Sequence, residues 1–115
     1  MPHFVIDCSE NVLALQSPEI IMTTVYDKAM ASGLFAEGDV KVRINPFAHF
    51  KLGEGKDSFI HVFANIMEGR TTDRKKQLSD GIVKSLKAIL PDVPIISMNV
   101  RDFEKASYSN RSLVD

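Results

Sequence analysis

Two sets of residues in this 115-residue chain could do chemistry together. The first is a single residue, Pro2. Methionine is normally removed before a small residue such as proline, and its loss would leave Pro2 with a free secondary amine at the head of a strand. A simple α-amino group titrates at about 7.7–8.0, and a prolyl amine is intrinsically more basic. Burial or nearby cations lower that value, because both disfavour the charged form. An amine tuned towards neutrality can take a proton from one atom and return it to another. With Met1 in place the same nitrogen is an amide and cannot act as a base.

The second set is cationic. Lys41 and Arg43 are two residues apart in a strand pattern, which places both on one face. Arg70 follows Gly69 at the carboxyl end of another strand pattern. Fixed positive charges of this kind can hold a carboxylate or stabilise an enolate as it forms. Taken alone, Lys41 and Arg43 read as a solvated edge or an interface salt bridge, and Arg70 fits a pairing with Glu68 or Asp73 equally well.

Other reactive residue types lack a pattern. His3, His49, His61 and Cys8 match no zinc or haem spacing. His3 and His61 read as ordinary hydrogen-bonded strand residues, and Cys8 as a small core residue. Gly53 and Gly55 suggest a turn, since no Gly-Lys-Ser/Thr follows them. No nucleophile-elbow motif occurs. Arg74, Lys75, Lys76, Lys84 and Lys87 read as the wet face of a helix.

Composition narrows the class. The formal net charge is −1, from 14 basic and 15 acidic residues, so there is no broad basic field for nucleic acid. Hydrophobic residues make up 44% and charged residues 25%, the balance of a soluble globular protein. One cysteine cannot form an internal disulfide and points to a reducing compartment. The start of the chain has no basic leader, and no apolar run approaches the roughly 20 residues of a membrane span. The expectation is one domain over residues 1–115, soluble and cytoplasmic.

The elements that must position these groups follow from periodicity. Residues 4–8 read as a short strand. Ser17, Pro18 and Glu19 form a helix start, the next apolar residues (Ile21, Val25, Ala29) recur at spacing four, and Gly33 is a natural stop. Residues 40–44 read as a strand ended by Pro46, with an irregular edge segment and loop over 47–56. Residues 57–67 are the strongest strand: Ile60, Val62, Ala64 and Ile66 form one face, and Phe59, His61, Phe63, Asn65 and Met67 the other. Thr71 caps a long helix with the stripe Leu78, Ile82, Leu86 and Ile89, stopped by Pro91 and Pro94. A last strand covers 93–100, and the tail over 104–115 is either loose or an arm laid on a neighbour.

The order is β-α-β twice, over about 2–46 and 57–102, and the caps Ser17 and Thr71 repeat at nearly the separation of the strands starting at Phe4 and Phe59. Each unit should pair its strands in parallel. The expected fold class is α+β: a four-stranded mixed sheet with two helices on one face. The opposite face carries Lys41, Arg43, Phe59 and Phe63, too apolar to be left in water, so it should pack on other subunits. Two architectures share this string, the ferredoxin-like fold and the tautomerase barrel, and topology alone does not choose between them.

Met-Pro-His-Phe-Val-Ile-Asp-Cys-Ser at the start, the Gly38 to Ile44 segment with its basic residues, and Met67-Glu68-Gly69-Arg70 before a helix resemble the 5-carboxymethyl-2-hydroxymuconate isomerase family of the tautomerase superfamily. The resemblance implies a homotrimer with the amino-terminal proline as base, working without metal or cofactor on a small anionic enol. It makes Pro2 and Arg70 catalytic, with Arg43 and Lys41 binding substrate. At Lys41 the family more often has arginine; lysine keeps the charge but loses the planar fork. The rival readings are a non-catalytic ferredoxin-like binding module and another tautomerase-superfamily activity, such as a phenylpyruvate tautomerase.

Overall fold

The computed structural model describes residues 1–114; Asp115, the last residue of the expected tail, lies outside the described residues. Four strands and two helices follow in the order β1 (His3–Ser9), α1 (Pro18–Ala31), β2 (Lys41–Phe47), β3 (Phe59–Met67), α2 (Thr72–Ile89) and β4 (Ile95–Phe103). The sheet order is β2-β1-β3-β4. β1 and β2 pair in parallel, as do β3 and β4, while β1 and β3 are antiparallel. This is the mixed sheet expected from two β-α-β units.

Both helices begin where their caps dictate. Ser17 accepts the amide of Ile20 at 3.2 Å, and Pro18 occupies the first helical turn. Thr71 accepts the amide of Arg74, also at 3.2 Å. α1 stops at Ala31, and Gly33, two residues on, turns the chain with a φ of 72° that suits glycine.

Alternation along the strands divides the sheet. Phe4, Ile6 and Cys8 of β1 and Ile60, Val62, Ala64 and Ile66 of β3 are fully buried. They pack with Ile21, Val25 and Ala29 of α1 and with Leu78, Ile82 and Leu86 of α2. Each such Ile, Leu, Val or Phe contributes about 1.5–3 kcal/mol by leaving water. The odd-numbered residues of β1 and β3, apart from the buried Ser9, form an open face that is only partly buried.

Several boundaries differ from the sequence-based expectation. β2 runs through Pro46 to Phe47, with Pro46 opposite Cys8. Proline is tolerated there because β2 is the edge strand and has one unpaired side. β3 starts at Phe59 rather than at position 57: Ser9 Oγ accepts the Phe59 amide at 3.0 Å and fixes that start. β4 begins after Pro94 and continues three residues beyond Val100, and the amide of Glu68 donates to Phe103 O at 3.1 Å. Short 3₁₀ turns, not anticipated, occupy Glu10–Ala14 and part of the tail.

The tail starts on its own chain. The Lys105 amide donates to the Glu68 carboxylate at 2.6 Å, and Tyr108 packs on Phe103 with ring centroids 5.4 Å apart. Lys75 is not simply solvated: it pairs with Asp102 at 2.9 Å and ties α2 to β4.

Candidate active site

The chain's first residues meet the cationic strand through the sheet itself. The backbone amide of Lys41 donates to Pro2 O at 3.2 Å. Pro2 is fully buried. The β1–β2 register sets His3 beside Lys41 and Val5 beside Arg43, so both cations lie on the open face with His3 near them. Lys41 Nζ donates to Asp39 O at 2.5 Å.

Arg43 Nη1 lies 3.0 Å from His3 Nδ1. Arginine has only donors, so Nδ1 is the acceptor and the imidazole is neutral. Burial lowers the His3 pKa from its usual 6.5, and the charges of Arg43, Lys41 and the chain amine lower it further. The Met1 amine is lowered too: burial is the largest cause, followed by the hydrogen bond and charge of Lys41, against a raising effect of Asp39. Positive charge is therefore disfavoured at this end of β1.

Arg70 takes another position. Gly69, at φ 116°, turns the chain after β3. Arg70 Nη2 then donates to Leu34 O at 2.8 Å and Nη1 to Met67 O at 3.3 Å. Its guanidinium carbon lies 5.5 Å from the centre of the Phe35 ring, which packs edge-on against Phe4 at 5.8 Å. Arg70 thus borders the buried side of β1, while Lys41 and Arg43 border the open side. It pairs with neither Glu68 nor Asp73. Two of its five N–H donors are used on carbonyls, and the others remain for an anion.

The rest of the open face grades from cationic to aromatic. Near its middle, His61 bridges Ser97 Oγ at 2.6 Å and Asn99 Oδ1 at 2.5 Å, and it packs against Phe63 with ring centroids 4.4 Å apart. At the far end Phe59 touches Phe47 and Phe50. Cys8 is buried, and its thiol is pushed up to about 11, mainly by burial. Among the described residues no three His, Cys, Asp or Glu side chains are grouped to hold a metal, and no helix is long and apolar enough to cross a membrane. The hollows of about 250–410 Å³ that the described residues form on the surface at Leu78, Phe50, Ile20 and Leu15 are not lined by Pro2, Lys41, Arg43 or Arg70.

Sequence reasoning named Pro2, Lys41, Arg43 and Arg70 as candidates but did not anticipate their partners in the fold. His3 could have been placed beside Lys41 and Arg43 by strand parity. Leu34 and Phe35, in the segment after α1, left no local signal.

This arrangement is the tautomerase fold. Over 96% of this chain and 88% of the other, it superposes with a TM-score of 0.82 and 20% identity on a 5-carboxymethyl-2-hydroxymuconate isomerase from Deinococcus radiodurans R1. A fused 4-OT wild-type symmetric trimer gives a TM-score of 0.78 at 15% identity, over 97% and 94% of the two chains. The family model for 5-carboxymethyl-2-hydroxymuconate isomerase matches residues 2–112, and the chain belongs to that family of isomerases. A 5-carboxymethyl-2-hydroxymuconate Delta-isomerase of Escherichia coli is 21% identical over 89 residues, covering 76% of this chain and 71% of that one. Of the two architectures that share the element order, the family match selects the tautomerase and sets aside the binding module.

Proposed function

We propose that the protein shifts a proton within an unsaturated, multiply anionic 2-hydroxy acid such as 5-carboxymethyl-2-hydroxymuconate, with the amine of Pro2 as the shuttling base once Met1 has been removed. The amine takes the proton of the enol hydroxyl, and the conjugated frame carries the negative charge. The protonated amine then delivers the same proton to a carbon further along, so substrate and product are isomers. Neither metal nor cofactor is required. Lys41 and Arg43 offset the charge of the substrate on the open side, and Arg70 does so from the buried side.

The observation that carries this reading is the bond between Lys41 N–H and Pro2 O, which seats the amine position in a buried, cationic corner. The same surroundings already lower the neighbouring Met1 amine. A desolvated amine facing fixed charges is the setting that proton transfer and enolate stabilisation need.

The reading includes a homotrimer. The open face exposes Phe47 and half-exposes Phe59 and Phe63, and a second copy would bury them. Light scattering should give three times the chain mass; a monomer's mass refutes the assembly.

The decisive test sets mature wild type beside Pro2→Ala on 2-hydroxymuconate and phenylenolpyruvate. Mass spectrometry first establishes that Met1 is gone. Turnover should fall by about 10²–10⁴-fold in the variant. An equally active Pro2→Ala assigns the proton transfer to another group.

A further inference from the structure

We propose that Arg101 is a second carboxylate anchor that makes the site prefer substrates anionic at both ends; this rests on the reaction proposed above. Three registers combine to place it. β1–β2 pairing sets Lys41 beside His3, β1–β3 sets His3 beside Asn65, and β3–β4 sets Asn65 beside Arg101. Lys41, His3, Asn65 and Arg101 therefore form one row straight across the sheet. At the usual strand spacing, the Arg101 Cα lies roughly 10 Å from that of His3 and about 14 Å from that of Lys41.

The next row supplies a floor between two guanidinium groups. Arg43, Val5 and Phe63 are neighbours in it, again by register. Arg101 lies over the Phe63 ring, its guanidinium carbon 4.2 Å from the ring centre. Phe63 thus serves as the platform that seats Arg101, and Val5 lies between it and Arg43, so a conjugated chain could cross the strip at Val5 with a carboxylate towards each guanidinium. The ring holds the guanidinium by cation–π attraction, which uses none of the in-plane N–H donors that a planar anion would take.

Among the described residues Arg101 also has no counter-ion. The ion pairs among the described residues are Lys75–Asp102 and Lys76–Asp80, and Arg101 joins neither. Its neighbour Asp102 points to the helix side and is taken by Lys75. Covering the open face would strand this cation without an anion, which is costly. The bound substrate would satisfy it.

The test has two arms, run on wild type, Arg101→Gln and Arg101→Lys. In the first, kcat/KM for 2-hydroxymuconate should fall by about 10–100-fold more than that for phenylenolpyruvate in Arg101→Gln, chiefly through KM. Arg101→Lys should show a smaller selective loss, because it keeps the charge without the fork. Equal losses on both substrates, no loss, or a change in assembly mass without selectivity would overturn the proposal. In the second arm, muconate and sorbate, which differ by one carboxylate and carry no enol hydroxyl, are titrated calorimetrically. Muconate should bind the wild type more tightly, and Arg101→Gln should erase that margin. A wild type that turns over neither enol acid refutes the proposed reaction, whereas an equal affinity for muconate and sorbate refutes the anchor.

Discussion

Arg43 on β2 donates to the imidazole of His3 on β1 across 3.0 Å, and this bond exists only while His3 is neutral. Protonation would turn the acceptor into a donor and set three positive groups together: His3, Arg43 and Lys41.

Stability should therefore depend on pH through His3. Its folded pKa lies below the usual 6.5, so in the interval just below pH 6.5 the unfolded chain binds more protons than the folded one. Stability is fully present above pH 6.5 and is lost as the pH falls towards the folded value. His3→Gln keeps a carbonyl acceptor and removes the titration, so its melting temperature should fall less steeply on acidification. Parallel curves for the two proteins would remove His3 from this role.

Gly69→Ala should destabilise the fold. A φ of 116° is one that side-chain-bearing residues rarely adopt, although nothing lies within 4 Å of the added Cβ. The cost is about 1–3 kcal/mol of backbone strain, read from a urea midpoint. The same strain displaces Arg70 from Leu34 O, so kcat/KM should fall along with stability. An unaltered midpoint contradicts the strain argument.

Gly81→Ala should do the opposite. Gly81 lies inside α2, where alanine is favoured by about 0.8–1 kcal/mol. The added Cβ would meet Lys28 Cε at 2.8 Å, but this is the far end of a flexible side chain that can move aside. The urea midpoint should rise; a fall would mean that Lys28 is held more firmly by α1 packing than its stem suggests.

Cys8 should be inert in the native protein. With the thiol pushed up to about 11, thiolate is scarce at neutral pH, and the sulfur is fully buried. A disulfide reagent should label it only as fast as the chain opens, and at once in denaturant. Rapid native labelling would show that this end of β1 opens locally.

Much of the fold is legible in local signals. Ser17 and Thr71 announce their helices because a cap needs only an oxygen three residues from an amide. The alternation in β1 and β3 reveals both faces because burial has a period of two. Pro46 misled because its effect depends on whether the strand is an edge, which is set by the whole sheet. Arg101 went unnoticed because β4 was expected to end at Val100; its extension depends on Glu68, far away in sequence. Arg70 stands out as a candidate from its neighbour Gly69, but its engagement with Leu34 and Phe35 is a tertiary matter.

The open face is oily at the Phe59 end and carries Lys41, Arg43 and Arg101 towards the other. Copies that associate through it are drawn together at one end and pushed apart by like charge at the other. On the function proposed above, a small polyanion lodged among those cations would act as mortar, and ligand affinity and quaternary cohesion would be thermodynamically linked: each would strengthen the other, and dilution would weaken both.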